Sequence, residues 1–407
     1  MQNMDSSDIF DRYYTKDFTE LGTGPVSVEP YISTEYFERE REHIFLKTWM
    51  LFCHETEIPN SGDYVVKDIP FMKASIIVMR GKDNKVRAFH NICRHRGNKL
   101  VLKDGHGSAK ALTCTMHAWT YDTNGGLRAV TQQDRFFDLD KKQCGMLPVT
   151  MDIWNGFVFL HAETAPEQTL LESLGSLAED LDEYPFHQPK PVAEFQADVK
   201  ANWKTVINIF QEAYHLPAVH KAIESAQVAK NAASVRLVNF KLHGHHRTAT
   251  LPLNPNFEPT PTEALASEFS LGFSNFLDDK KAESKWPGMN HGKAPNVAFD
   301  INVVFPFNFI DVANGWYFTY EFWPVSVNET RYISKLYLME PASWSARIGQ
   351  EFMVVQMRDA LSEDLPIVEA NQLGMESGAI KEIYLSDQEL AIRHHHYALD
   401  SILNSHR

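Results

Sequence analysis

The stretches NICRHRGN (residues 91–98) and LTCTMHAWTYDTNGG (residues 112–126) each pair one cysteine with one histidine, Cys93 with His95 and Cys114 with His117. Residues 96 to 113, 18 in all, separate the pairs. Around them, from about residue 50 to 162, lie short runs such as DYVVKDI, ASIIVMR, KVRAFHNIC and GFVFLHA, rich in β-branched and aromatic residues and punctuated by Gly, Asn and Asp. That texture predicts a small all-β domain with both pairs on loops. Two such loops, each offering a thiolate and an imidazole, suit a tetrahedral zinc or a [2Fe-2S] centre, and geometry alone does not choose. A zinc ribbon more often has a Cys-x-x-Cys knuckle on each loop, and a zinc finger segregates its cysteines from its histidines. One of each per loop leans towards a cluster in which two cysteines hold one iron and two histidines the other.

Working outward, YFEREREHIFLKTW (residues 36–49) mixes apolar and charged residues at helical spacing and predicts an N-terminal amphipathic helix. Beyond the β domain the charged helical stretch PEQTLLESLGSLAEDLDEYPF leads into a larger region that carries strands, among them GWYFTYEFWPV and TRYISKLYLME, as well as helices. The expected division is residues 1–49 as a helical segment packing with the larger domain, 50–162 as the small β domain and 163–407 as the larger α+β domain. Residues 221–300, with the Pro- and Asn-rich LPLNPNFEPTPTEA, read as a long loop or lid. Residues 344–377 read as a helix interrupted near Pro366, and LSDQELAIRHHHYALDSIL as a closing helix whose RHHHY (393–397) is an interface or surface feature.

The composition narrows the function classes. The chain has 407 residues, 43% apolar, and a formal charge of −14, with no Lys/Arg block able to track a phosphate backbone, so nucleic acid is not an expected partner. No apolar run approaches a membrane span and the N-terminus has no signal-peptide pattern, which predicts a cytoplasmic protein without membrane partners. Cys53 and Cys144, the other two of four cysteines, read as isolated buried thiols. No Gly-x-Gly-x-x-Gly follows a strand, so the chain has no nucleotide fold of its own.

A second constellation lies in NWKTVINIFQEAYHLPAVH (residues 202–220), helical from Trp203 to about Tyr214, where His215 and His220 stand five residues apart. In an unbroken helix that step leaves the two imidazoles roughly 140° apart, so they would not meet at one ion. Pro217 breaks the helix between them and permits convergence. Two histidines and a carboxylate on one face of an iron form the facial triad of non-haem Fe(II) oxygenases.

Taken together, the sequence resembles the Rieske non-haem iron oxygenases, the α subunits of aromatic ring-hydroxylating oxygenases. Cys114, His117, Trp119, Tyr121, Gly125 and Gly126 match the second cluster loop of that family. Ala118 stands where a Gly is usual, and the interval between the pairs is one residue longer than expected. Asn202, Trp203, Lys204, Asn208, Glu212, Tyr214, His215 and His220 match the catalytic signature, and SEDLPIVEANQLGMESG (362–378), with Glu363, Asp364, Gln372 and Gly374, matches the C-terminal acidic stretch.

The resemblance implies an α+β fold: a Rieske [2Fe-2S] domain held through Cys93, His95, Cys114 and His117, and a catalytic domain of antiparallel sheet and helices in a helix-grip, START-like arrangement. It implies a mononuclear Fe(II) on His215, His220 and Asp364, with Glu363 as the fallback ligand, and Asn208 and Glu212 as catalytic-site residues. Glu212 would bridge His215 to His117 of the partner subunit in a head-to-tail homotrimer, with or without a β subunit. Electrons would come from NAD(P)H through a ferredoxin or flavin reductase. The expected reaction is monooxygenation of a small apolar, aromatic substrate by hydroxylation or N- or O-dealkylation, as in the chloroacetanilide N-dealkylases, with cis-dihydroxylation of an aromatic ring as the alternative. A Rieske electron carrier and a zinc-binding module are remoter readings. Candidate pocket residues are Asn208, Phe210, Phe305, Phe307, Phe309, Trp316, Phe318 and Tyr320, with others from the lid around residues 221–300.

Overall fold

The computed structural model describes residues 13–220, 236–252, 261, 286–294 and 297–405. The chain forms two compact units, residues 45–173 and residues 1–44 with 174–407. No helix among the described residues is long and apolar enough to cross a membrane.

The smaller unit is built from short antiparallel strands. These are β1 (Met50–His54), β2 (Asp63–Ile69), β3 (Ala74–Arg80), β4 (Val86–His90), β5 (Gly105–Ser108), β6 (Ala111–Thr113), β7 (Thr120–Asp122), β8 (Leu127–Ala129), β9 (Thr150–Trp154) and β10 (Phe157–His161). They make a four-stranded sheet in the order β4-β3-β2-β5 and two three-stranded sheets, β9-β10-β1 and β6-β7-β8. Val66, Ile77, Met79, Phe89, Leu112 and Tyr121 share one core with Cys93 and Cys114, so each motif cysteine is anchored in the apolar interior. Cys53 is buried in β1 as expected, whereas Cys144 is only half-buried, in a short turn after Lys141–Gln143.

In the larger unit the N-terminal helix α1 (Thr34–Glu40) is shorter than the 36–49 pattern suggests. It widens into a π turn, Arg41–Phe45, whose last residue opens the smaller unit, and the adjacent Ile44 and Phe45 are both buried. The apolar spacing thus continues past the point where α geometry stops.

One seven-stranded antiparallel sheet dominates this unit. It is made of β11 (Lys190–Val199), β12 (Val238–His243), β13 (His246–Pro252), β14 (Val297–Val304), β15 (Asn308–Ala313), β16 (Trp316–Ser326) and β17 (Glu329–Leu338), in the order β11-β17-β16-β15-β14-β13-β12. Three of these strands fall wholly or partly within 221–300, where a loop was expected. The β12–β13 hairpin turns through Gly244 and His245 between the paired His243 and His246, and Gly244 takes φ +62°, a conformation glycine adopts without a Cβ penalty. Polar residues on both strands mask the alternation that signals a sheet. Residues 221–235, 253–260 and 262–285 of the expected lid lie outside the described residues.

The helices are α2 (Trp203–Ile209), α3 (Leu216–Val219), α4 (Trp344–Glu376) and α5 (Leu390–Ser405). Contrary to expectation, α4 runs unbroken through Pro366 for 33 residues. Leu361, Asp364, Val368, Gln372 and Met375 bury one face on both sides of the proline. Pro366 and Ser362, whose carbonyl loses its helical donor, are on the exposed side, where the freed carbonyl is open to solvent. The RHHHY segment is also not a surface feature. Arg393, His394, His395 and His396 are all buried in α5 and hydrogen-bonded to the rest of the unit. His396 Nε2 lies 2.6 Å from Tyr31 Oη, His394 Nε2 lies 3.0 Å from Gly244 O, and Arg393 donates to Gly24 O at 2.8 Å.

Candidate active site

Helix α2 is capped by Asn202, whose side chain accepts from Lys204 N at 3.0 Å, and it ends at Ile209 rather than near Tyr214. The chain then turns, and α3 begins with Pro217 in its first turn, where a missing N–H costs no helical bond. Pro217 therefore starts a helix rather than breaking one. His215 and His220 flank this single turn, and their Nε2 atoms lie 3.2 Å apart. From α4, Asp364 Oδ1 lies 3.2 Å from His220 Nε2 and 3.7 Å from His215 Nε2. His215, His220 and Asp364 thus form a group of three side chains whose donor atoms lie close enough together to hold a metal ion.

Each imidazole is gripped from behind by a carboxylate. Glu212 Oε1 lies 2.5 Å from His215 Nδ1, and Glu363 Oε2 lies 3.0 Å from His220 Nδ1. With Nδ1–H donated to a carboxylate, the lone pair is left on Nε2, where the three groups meet. Glu212 also accepts from the backbone N–H groups of Tyr214 and His215, the latter at 3.1 Å. Burial works against an imidazolium at His220, but Asp364 and then Glu363 outweigh it and hold its pKa above the ordinary imidazole value. Asp364 Oδ1 is buried with no well-aligned hydrogen-bond donor, an arrangement that suits a divalent cation between the three side chains.

The smaller unit presents its four motif residues together. Cys93 N donates to Asn98 O at 2.8 Å and Cys114 N to Trp119 O at 2.9 Å, which closes both loops into tight turns. Ala118 takes φ +58°, which accounts for the glycine usual at this place. The His95 and His117 rings lie 4.7 Å apart, and Trp119 stacks on His95 at 5.1 Å. Tyr121 Oη lies 3.5 Å from Cys93 Sγ, and Asn98 Nδ2 donates to Cys114 Sγ at 3.6 Å. Burial raises the Cys114 thiol, but the backbone N–H groups of Met116 and His117, with Cys93 and Asn98, outweigh it and favour the thiolate. His95 Nδ1 is buried without a hydrogen-bond partner while His117 is exposed, and one thiol and one imidazole on each of two loops joined by the Asn98–Cys114 contact fit a [2Fe-2S] cluster with mixed ligands.

A cavity of about 150 Å³ opens onto the His215–His220–Asp364 group. Trp316, Phe318 and Tyr320 line it from alternate positions of β16, and Phe210 joins them. Phe305, Phe307, Phe309 and Asn208 are not in its lining. Asn208 instead donates to Tyr31 Oη at 2.8 Å and accepts from Gln211 at 3.1 Å. Sequence reasoning missed Phe299, Ile301 and Asp311 on β14 and β15, and Met353, Met357 and Leu361 on α4. Their shared facing depends on strand register and helix placement, although the i, i+4, i+8 spacing on α4 was available.

Residues 186–405 match the family described as ring hydroxylating alpha subunit (catalytic domain), and residues 48–148 match the Rieske [2Fe-2S] domain. The chain belongs to the ring-hydroxylating α-subunit family. This α subunit is 34% identical over 205 residues to the carnitine monooxygenase oxygenase subunit of Acinetobacter baumannii, a match covering 49% of this chain and 54% of that one. The chain thus spans about half the length of the curated relatives it matches. A quaternary ammonium Rieske monooxygenase structure superposes with TM-score 0.75 at 20% identity, covering 100% of both chains. Naphthalene 1,2-dioxygenase from Rhodococcus sp. does so with TM-score 0.74 at 19% identity, covering 97% of both. At such identities these structures speak for the α-subunit fold alone.

Proposed function

We propose that this α subunit is the terminal oxygenase of a multicomponent system and monooxygenates a small substrate with an apolar body at a carbon beside a heteroatom. The observation that carries the reading is the presence, in one chain, of a two-Cys, two-His cradle and a His215–His220–Asp364 group facing an aromatic-walled cavity. When bound, an Fe(II) on His215, His220 and Asp364 and a cluster on Cys93, His95, Cys114 and His117 would supply reductive O₂ chemistry.

The protein's own groups hold and shield that chemistry. Glu212 and Glu363 fix the tautomer and direction of His215 and His220. The apolar side chains of β16 and α4 limit water around the reacting carbon and position it. A carboxylate has about four acceptor positions. Glu212 uses three of them within its own chain, which leaves one for His117 of the partner subunit in a homotrimer. Electrons from NAD(P)H would reach the cluster through a separate ferredoxin or flavin reductase.

The test is anaerobic purification followed by turnover with a surrogate reductase under isotopically labelled O₂, across amines, amides, ethers and aromatic hydrocarbons. Incorporation of one labelled oxygen, from protein holding a [2Fe-2S] signal plus mononuclear iron, is the expected result. A vicinal diol carrying both atoms would establish the dioxygenase alternative, and a colourless zinc protein would refute both.

A further inference from the structure

The cavity contains a carboxyl group that holding a metal does not explain. Asp311, in β15, is only 1% exposed and lines the cavity. Its Oδ1 accepts a hydrogen bond from the Asn302 backbone N–H at 2.8 Å, and Oδ2 has no hydrogen-bond partner among the described residues. Holding one strand N–H requires only a neutral acceptor, so an acid with an unpaired oxygen inside an apolar cavity is costly unless something binds it.

Its surroundings are aromatic. Asp311 pairs in register with Phe318, and Trp316 and Tyr320 flank Phe318 on the same face. Phe299 packs edge-on against Phe318 with ring centres 5.2 Å apart, and Phe210 closes on Tyr320 at 5.0 Å. Among the described lining residues the charged types are Glu212, Asp311, Asp364 and the two histidines, and no Lys or Arg is present. Aromatic faces attract a cation through their quadrupoles, a carboxylate supplies its counter-charge, and no basic side chain among the described lining residues would anchor an anionic group.

We propose that the cavity takes a substrate whose nitrogen is cationic, a quaternary ammonium or protonated amine on an apolar body without a carboxylate, and that Asp311 is its counter-ion. This rests on the cavity being the substrate site of the oxygenase proposed above. Burial and the nearby Asp300 hold the Asp311 carboxyl well above the ordinary carboxylate range, although the Asn302 N–H opposes them. The other titratable groups around it are Tyr320 on β16 and Tyr332 on β17, with Glu212, His215, His220 and Asp364 elsewhere around the cavity. Entry of a fixed positive charge favours the ionised form, so binding releases a proton from Asp311.

The experiment compares benzyltrimethylammonium with neopentylbenzene, which has the same shape with carbon in place of the charged nitrogen. Binding to the metal-loaded protein is followed by tryptophan fluorescence, and proton release by calorimetry in two buffers of different ionisation enthalpy. The cation is expected to bind about tenfold more tightly or better, with release of a proton. Asp311→Asn is expected to remove both the preference and the proton release while neopentylbenzene still binds. Equal affinity for the two probes, no proton release, or a preference that survives in Asp311→Asn overturns the proposal and leaves Asp311 as a pin for Asn302. Proton release in the unsubstituted protein decides the matter alone if the variant does not fold. Because binding is read without turnover, absent mononuclear iron or absent product refutes the oxygenase reading and leaves this result standing.

Discussion

Replacing Glu363 by Ala separates the two neighbouring acids on α4. Asp364 Oδ1 meets both Nε2 atoms, whereas Glu363 reaches the far nitrogen of His220, Nδ1, at 3.0 Å. On this geometry we propose Asp364 as the metal ligand and Glu363 as a positioning residue. Loss of an outer carboxylate behind a ligating histidine costs about 10–100-fold in metal affinity, or about 1.4–2.7 kcal/mol. Glu363→Ala is expected in that range. Glu363→Gln, which keeps an oxygen acceptor for Nδ1–H and so preserves the tautomer, is expected to lose less. Asp364→Ala removes one of three protein ligands, and its iron should not survive gel filtration. The assay is competition for Fe(II) or Co(II) against a calibrated chelator, with the [2Fe-2S] absorption as an internal control that should not change. Iron retained by Asp364→Ala but lost by Glu363→Ala would reverse the assignment. Unchanged affinity in Glu363→Ala would remove the orienting role.

Lys204 and Glu40 form a fully buried pair at 2.7 Å, with Trp203 Nε1 also on Glu40 at 3.1 Å. Lys204→Met should destabilise the larger unit by about 3–5 kcal/mol in denaturant unfolding, and adding Glu40→Gln should restore most of the loss. His394 and His396 have pKa values held down to about 3, mainly by burial. A folded pKa below the unfolded value of about 6.5 gives full stability above pH 6.5, and two such groups remove about 4 kcal/mol on acidification to pH 5. Unfolding free energies measured from pH 7 to 5 test this, and a flat profile would contradict it. Ala118→Gly relieves a positive-φ residue in the cluster loop, and should stabilise that unit by about 0.5–1 kcal/mol, read from the temperature at which the cluster absorption bleaches.

What could be read from the sequence follows the range of the interactions involved. Cys93, His95, Cys114 and His117 were legible because residue type and short spacing carry their chemistry, and their loops follow β strands that alternate visibly. His215 and His220 were legible for the same reason, even though Pro217 proved to open a helix rather than interrupt one. The family resemblance named Asp364 with Glu363 as the fallback, and only the relative rotation of α4 and α3 separates the two, with Asp364 beside both Nε2 atoms and Glu363 behind His220. Asp311 was invisible because its meaning lies in being opposite Phe318, a pairing between strands that the sequence does not declare. Pro366 misled because the cost of a helical proline depends on whether the freed carbonyl faces water. The three consecutive histidines misled because adjacent positions on a helix usually cannot all be buried.

Their burial has a structural logic that bears on the site. His396 meets Tyr31 Oη, which also receives Asn208 Nδ2, and Asn208 in turn accepts from Gln211. Gln211 accepts from Arg247 Nε at 2.9 Å and lies 3.4 Å from His395 Nδ1. Gln372 on α4 accepts from Asn202 N at 3.1 Å and Thr205 Oγ1 at 2.8 Å, and donates to Tyr31 O at 3.1 Å. These bonds tie α4, α5 and the N-terminal segment to α2 and to the residue just before Glu212. Polar groups buried this deeply have few alternative arrangements that satisfy them, so the network selects one placement of residues 202–211 more sharply than apolar packing would. Asn208 therefore acts at a distance from the cavity, by holding the chain from which Glu212 and His215 project, and a volume-matched Asn208→Leu should disturb metal retention and the fold together rather than turnover alone.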